Sequence, residues 1–266
     1  MTAPLSERSS TVTEAVKLQR RATRIAAGRF LAEGPNLVEA AARHGFVERV
    51  FATEAARQRH GALLGGLPVA AVTDRAMKAL SETVTPAGLV AVCRLPDATL
   101  EQVLAGAPSL VVVAAEVADP GNAGTLIRLA GAMGADAMIF AGDAVDPFNG
   151  KCVRSSAGSI FSVPVLAEAD TVGLLDRLRA AGLQVLATTL DGEVSLDDAQ
   201  PILAAPTAWL FGSEAHGVAE EIASLADHRV VIPMAGDVDS LNVAAAAAIC
   251  LYQSAREQRG RRSGSG

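Results

Sequence analysis

Over the second half of the chain, short continuous apolar runs alternate with longer stretches of mixed pattern. From Leu110 to Ala115 every residue is apolar, as expected of a strand buried on both faces. The pattern predicts strands at 110–117, 137–141, 160–166, 183–189, 207–211 and 229–232. It predicts helices at about 123–133, 149–156, 170–181, 217–224 and 242–258. Strands alternating with helices imply a parallel sheet with helices on both faces. The first half reads differently. A basic amphipathic helix is expected over 12–28, with strands at 29–34, 47–52, 69–72 and 88–93. Asn36 and Asp74 are placed to cap helices running to about Arg43 and Ser81. This makes a small α/β unit. The stretch 95–108, with Pro96, Gly106 and Pro108, reads as a linker. The expected domains are therefore 1–94 and 109–258, with the linker between them. A Gly/Ser/Arg-rich tail at 259–266 is expected to be disordered.

Composition narrows the class. Half of the residues are hydrophobic but only 3% are aromatic, so the core is built from Ala, Val, Leu and Ile. No apolar run reaches the ~18 residues that cross a bilayer. The polar start, Met1–Thr13, lacks a signal-peptide core, which predicts a cytoplasmic protein without a membrane partner. Cys93, Cys152 and Cys250 are far apart, as are His44, His60, His216 and His228, so no metal site is expected.

The net charge of −6 conceals an uneven distribution. Residues 1–60 hold ten basic and six acidic side chains, a balance of +4, and the remainder carries −10. Lys17, Arg20, Arg21 and Arg24 fall at three- and four-residue spacing on one expected helix face, and Arg29 follows. This is either a phosphate-contacting stripe or a solvated face.

Three segments could carry chemistry. Asp119-Pro120-Gly121-Asn122 forms a sharp turn after the first strand of the second half, and Arg128 sits one turn into an otherwise apolar helix. Trp209-Leu210-Phe211 runs into Gly212, where a backbone can approach another group closely, with Ser213, Glu214 and His216 beyond it. Ile232-Pro233-Met234 ends a strand, a loop with Gly236 follows, and Ser240 is expected to cap the long Ala-rich helix. Strand ends feeding helix starts are where open α/β sheets bind ligands. No G-x-G-x-x-G follows the first strand, no phosphate loop is present, and Ser213 is not in a nucleophile elbow.

Taken together, Asp119-Pro120-x-Asn122-x-Gly124-x-x-x-Arg128, then Leu210-Phe211-Gly212-Ser213-Glu214-x-x-Gly217-Val218, then Ile232-Pro233-Met234-x-Gly236-x-x-x-Ser240-Leu241-Asn242-Val243 resemble, in order and spacing, the three motifs of the SpoU branch of the SPOUT RNA methyltransferases. Val153-Arg154-Ser155-Ser156-Ala157-Gly158 is similar to a further stretch of that family. More loosely, Arg29–Gly34 and Leu80–Gly88 resemble the family's ribosomal-protein-like substrate-binding domain.

The resemblance implies an α/β fold whose C-terminal parallel sheet contains a deep trefoil knot, joined to the small N-terminal α/β domain. It implies S-adenosylmethionine as cofactor, held by Gly212, Ile232 and Leu241 with Thr188 nearby, and a homodimer. The acceptor would be a ribose 2′-hydroxyl in RNA, ribosomal RNA favoured over transfer RNA. The functional positions fall on Asn122, Arg128, Glu214, Ser240 and Asn242, all intact, while Ala244 replaces a common Ser. RNA contacts are expected from Lys17, Arg20, Arg21, Arg24, Arg29 and Arg154. Arg128 is cast as the base in this family, but a guanidinium stays protonated below a pKa of ~12, so a phosphate clamp that stabilises the developing alkoxide is the more physical role. Two other readings stay open: a nucleotide- or sugar-binding α/β protein, and a non-catalytic RNA-binding protein with this fold.

Overall fold

The structure is a computed structural model and describes residues 3–235 and 240–263. Contacts divide the chain into two compact units, Met1–Pro96 with Phe148–Ser162, and Asp97–Pro147 with Val163–Gly266.

The first unit begins with two helices, α1 (Ser10–Lys17) and α2 (Arg21–Ala27), where the sequence predicts one. The break at 18–20 is held by Arg24. This side chain is 4% exposed, and its Nη1 donates to Leu18 O at 3.0 Å and Gln19 O at 2.8 Å, filling carbonyls left open where α1 ends. The expected common face of Lys17, Arg20, Arg21 and Arg24 therefore does not form. Next come β1 (Arg29–Glu33), α3 (Pro35–Arg43) and β2 (Val47–Ala52). Pro35 opens α3 as its first residue, so Gly34 and not Asn36 precedes the helix. The short helices α4 (Glu54–Arg59) and α5 (Gly61–Leu64) have no counterpart in the sequence reading. Then follow β3 (Val69–Ala71), α6 (Asp74–Leu80) and β4 (Leu89–Arg94). Thr73, not Asp74, caps α6, its hydroxyl accepting from Ala76 N at 3.2 Å. The sheet order is β1-β4-β2-β3, with β4 antiparallel to both neighbours and β3 parallel to β2. Its core joins Phe51 and Val90 of the sheet to Met77 and Leu80 of α6 and to Val12 of α1.

The second unit opens with α7 (Leu100–Ala105), inside the stretch expected to be linker. Thr99 and Gln102 form a reciprocal capping box, and Leu100 is buried in the core, so this segment is structural. The chain continues through β5 (Leu110–Ala115), α8 (Pro120–Met133), β6 (Ala137–Ala141), α9 (Gly150–Ser155), β7 (Val165–Glu168), α10 (Thr171–Ala180) and β8 (Gln184–Thr188). It ends with β9 (Val194–Ser195), α11 (Gln200–Leu203), β10 (Thr207–Phe211), α12 (Glu220–Ala223), β11 (His228–Val231) and α13 (Val243–Ser263). The seven strands lie in the order β7-β6-β5-β10-β8-β11-β9, and every pairing is parallel. Val111, Val113 and Leu210 face α7 and α10 in one core. On the opposite face the buried Trp209 donates its Nε1–H to the buried Ser254 of α13 at 2.8 Å, so the sheet and the last helix share a satisfied polar contact. α13 also runs past the expected end at 258, and residues 264–266 of the expected tail lie outside the described residues.

The strand expected at 160–166 is two things. Ser159–Phe161 is a 3₁₀ turn, and β7 starts only at Val165. Ile160 and Phe161 are apolar because they are buried in the first unit, to which α9 also belongs. There Phe30 stacks on Phe161 at 5.7 Å and meets Phe148 at 5.1 Å, while Phe46 lies 5.6 Å from Phe161. Four of the chain's seven phenylalanines thus hold this excursion in place. Among the described residues no helix is long and apolar enough to cross a membrane.

Candidate active site

The carboxyl ends of β8, β10 and β11 and the start of α13 enclose a cavity of about 430 Å³. Its wall includes Thr188, Gly212, Ile232 and Leu241, the four residues expected to hold a cofactor, together with Glu214 and Ser240. Gly212 is required by space. After it the chain reverses in a tight loop closed by Ser213 N to Gly217 O and Gly217 N to Ser213 O, both 2.9 Å. A Cβ on Gly212 would fall 1.9 Å from Gly217 C and 2.0 Å from Val218 N. The same loop ends in Gly217 with φ +67°, which keeps α12 from starting at 217 as the sequence suggested.

The turn after β5 brings the first motif to this loop. Asp119 caps α8 by accepting from Asn122 N at 2.9 Å, and Pro120 supplies a first helical residue that needs no donor. This fixes Asn122, whose Nδ2 donates to Glu214 Oε1 at 3.0 Å. Its Oδ1 accepts from Asn242 Nδ2 at 3.1 Å. Glu214 also accepts from Ala118 N at 3.3 Å and Asp119 N at 3.2 Å. One residue from each motif is thereby linked into a single chain of hydrogen bonds, Asn242 to Asn122 to Glu214. Partial burial works to raise the Glu214 pKa, but the bonds from Asn122 and the backbone outweigh it and hold the carboxyl below its ordinary value.

Asn242 has a second task. Its Oδ1 accepts from Ala244 N at 2.9 Å, so Asn242 caps α13 where the sequence reading assigned Ser240. Ser240 instead stands on the cavity wall. Gly236 of the third motif lies outside the described residues. Arg128 is exposed on α8 and, among the described residues, has neither ion pair nor hydrogen bond.

Sequence reasoning missed the wall beyond β8. Asp191 lies on the cavity, and its carboxylate is 3.4 Å from Arg229 Nη1. Glu193 grips Arg229 twice, accepting from its backbone N at 2.8 Å and its Nε at 3.0 Å. The side-chain bond to Glu193, and after it the charge of Asp191, raise the Arg229 pKa, and the backbone bond from Arg229 leads in lowering that of Glu193. Gly192 fits between because a Cβ there would lie 2.7 Å from Arg229 O. The cue in the sequence was the acidic, glycine-containing run Asp191-Gly192-Glu193 after a strand end.

The basic residues of the first unit separate into two groups. Lys17, Arg20 and Arg21 are exposed and, among the described residues, unpaired. Arg29 is paired with Glu48 at 2.6 Å, and Arg24 is buried as described. Arg154 lies 3.5 Å from both Glu33 and Glu82, and Glu33 also accepts from Ser81 Oγ and, at 2.7 Å, from Thr83 Oγ1. Among the described residues no cluster of His, Cys, Asp or Glu could hold a metal ion.

Comparison with known proteins gives matches along most of the chain. Residues 109–252 match the SpoU rRNA Methylase family, and residues 9–91 match the MRM3-like substrate binding domain. The chain is 34% identical over 248 residues to the 23S rRNA (guanosine(2553)-2′-O)-methyltransferase RlmP of Bacillus subtilis (strain 168), covering 93% of this chain and 96% of that one. It is 32% identical over 250 residues to the 23S rRNA (uridine(2479)-2′-O)-methyltransferase of Streptomyces viridochromogenes, covering 91% and 87%. The crystal structure of the SpoU methyltransferase AviRb from Streptomyces viridochromogenes in complex with the cofactor AdoMet superposes with a TM-score of 0.81 at 30% identity, over 95% of this chain and 100% of that one.

Proposed function

We infer, for a chain that belongs to the SpoU rRNA methylase family, that it transfers a methyl group from S-adenosylmethionine to a ribose 2′-hydroxyl of ribosomal RNA. The observation that carries this reading is the junction of the cavity with the Asn242–Asn122–Glu214 chain, which joins all three motifs at one edge.

The cavity fits the cofactor. Its volume lies within the range of about 300–1,000 Å³ typical of small-molecule sites. Val230, Ile232, Leu241 and Val243 give it an apolar part, and Asp191, Glu214 and Glu220 give it an acidic one suited to a cationic ligand. Gly212, Ile232 and Leu241 would hold the cofactor, with Thr188 beside them. When bound, S-adenosylmethionine supplies a methyl group already activated on a sulfonium. The chain's own residues then have to align the acceptor and manage its proton. Asn122 and Asn242 hold each other and, with Ser240, orient the ribose. Glu214 fixes Asn122. Arg128, free of any partner among the described residues, clamps a phosphate of the RNA and stabilises the developing alkoxide. A phosphate oxygen or a water accepts the proton.

RNA capture falls to Lys17, Arg20 and Arg21, with Arg29 beside them; Arg24 and Arg154 are occupied by structural partners and contribute through the fold. The proposal extends to a homodimer, supported by Ile249 and Tyr252, which are 39% and 52% exposed on α13. It extends also to a trefoil knot in the second unit and to a cytoplasmic location. Incubation of the full chain with methyl-labelled S-adenosylmethionine and total RNA tests the function. Label should enter ribosomal RNA in dinucleotides that survive alkali, because a methylated 2′-oxygen cannot cleave its own phosphodiester. Label in transfer RNA alone, or none, would sink the reading.

A further inference from the structure

The first unit has a groove of its own, of about 350 Å³, lined by side chains of α1, α2, β1, β2 and β4. It shares no residue with the cavity of the second unit. Small side chains leave the space, Thr11 on α1 and Thr23 and Ala27 on α2. Ala15, Leu18 and Val92, which are 5%, 5% and 8% exposed, give it an apolar floor still open to solvent. Three cations line it and differ in their partners. Arg29 is held by Glu48 at 2.6 Å. Lys17 and Arg49 are exposed, and among the described residues neither side chain has an ion pair or a hydrogen bond.

A backbone irregularity delivers two of these groups. Along β2 and β4, Val47 pairs with Cys93 and Arg49 with Val92, so Glu48 is an extra residue in β2. Strict alternation would send Glu48 and Arg49 to opposite faces of the sheet. The bulge lets both line the groove. Bulges re-aim side chains and recur beside functional sites. This one supplies a free guanidinium together with the carboxylate that fixes Arg29.

We propose that the groove receives one unpaired nucleotide of the RNA, with a phosphate on Lys17 and Arg49 and the base over the apolar floor. This rests on the RNA reading above and deepens it. A nucleotide joins an anion to a flat ring whose edges donate and accept. Glu14 also lines the groove, exposed and without a partner among the described residues. Its carboxylate accepts from a base amino group, a contact that a site for a bare anion would not carry. A base stacked inside a duplex is not free to enter, so the groove selects single strands, loops and bulges.

The test is fluorescence anisotropy of the full chain with a labelled RNA single strand of about twelve nucleotides, an abasic strand of the same length, and the strand in duplex. Thermal melts of each variant and a methyl-transfer assay on ribosomal RNA accompany it. Wild type should bind the intact strand about tenfold more tightly than the abasic one. Arg49→Gln should weaken the single strand about tenfold and the duplex less than about twofold. Arg59→Gln, the same change at an exposed arginine outside the groove, should cost less than about twofold on both. Thr23→Leu fills the groove without altering its charge and should weaken the single strand about fivefold. If Arg49→Gln does not fold, Thr23→Leu decides. Equal binding of intact and abasic strands overturns the inference. So does a folded Arg49→Gln variant that binds no more weakly than Arg59→Gln, or a Thr23→Leu variant equal to wild type. A polyglutamate peptide bound as tightly as the strand would make the groove a site for acidic protein segments and overturn it as well. Any of these results with ribosomal RNA still methylated leaves the proposed function standing. A wild-type chain that binds no RNA probe and methylates no RNA overturns the RNA reading, and this inference with it.

Discussion

In the second unit, Arg177 and Arg179 end on the carboxylates of Glu101 and Asp227, and Arg229 ends on Asp191 and Glu193, while Arg128 reaches no partner among the described residues. The first unit divides its cations as well. Lys17, Arg20 and Arg21 are free of ion pairs among the described residues, whereas Arg24 is buried against carbonyls and Arg154 is held by two carboxylates. Cations that build the protein are thereby separated from cations left without a partner among the described residues. Charge counted along the sequence cannot do this, since Arg21 and Arg24 look alike there. In the acidic unit Arg128, unpaired among the described residues, stands on the helix that carries Asn122. In the basic unit Lys17, Arg20 and Arg21 stand around the break between α1 and α2.

The largest effect should come from the catalytic side. Asn122→Ala and Arg128→Ala are each expected to lower methyl transfer by about 10²–10³-fold while leaving S-adenosylmethionine affinity unchanged, as read by transfer assay and calorimetry. Arg128→Lys should fail as well, because a point charge lacks the planar fork that grips a phosphate. An active Arg128→Ala variant would remove Arg128 from the mechanism.

Next in size is RNA capture. Reversing Lys17, Arg20 and Arg21 to Glu should weaken RNA binding by at least about tenfold and flatten the slope of log affinity against log salt by about 2–3, if each contacts one phosphate. The methylated position should not shift, because phosphate contacts position and do not specify. Normal binding in this variant would make the cluster a solvated surface.

Arg24 sharpens the contrast, since its neighbours in sequence are the free ones. Arg24→Ala should destabilise the first unit by about 1.5–3 kcal/mol, measured by denaturant melts, because two charge-assisted bonds to carbonyls are lost. A stability equal to wild type combined with weak RNA binding would return Arg24 to the phosphate-contacting set.

The smallest effect is on pH. The Glu214 pKa is lowered in the folded chain, so its stabilising bonds are complete above the ordinary glutamate value of about 4.3 and fade as pH falls through the lower folded value. Transfer limited by this group should therefore decline only in acid. Glu214→Gln should remove that acid limb at a few-fold cost near neutrality, because the amide nitrogen that replaces one carboxylate oxygen donates and cannot accept a backbone bond. An acid limb unchanged in Glu214→Gln would detach the carboxylate from the reaction.

How much was legible in the sequence follows the same division. In the second unit β6 and β10 fall on their expected residues, because strands covered on both faces are written as unbroken apolar runs. The shared cavity of Thr188, Gly212, Ile232 and Leu241 was legible too, since Gly212 and the strand ends around it are fixed by backbone space. What failed were features set by distant side chains. The helix break at 18–20 depends on Arg24 turning back, and nothing in the 3.6-residue period announces it. The apolar residues Ile160 and Phe161 report burial but not its location, so they were read as sheet when they pack in the first unit. For the same reason a cut near residue 94, which the sequence recommends, would strip the partners of Phe148, Arg154 and Phe161.

The most direct test of the account is a map of 2′-O-methyl positions in ribosomal RNA from cells with and without this gene, each complemented by wild-type, Arg128→Ala or triple-Glu protein. The account predicts that a ribosomal RNA position loses its methyl group on deletion and regains it fully with wild type, not at all with Arg128→Ala, and partly at the same position with the triple variant. A ribosomal RNA map that is identical with and without the gene, or one restored by Arg128→Ala, would contradict it.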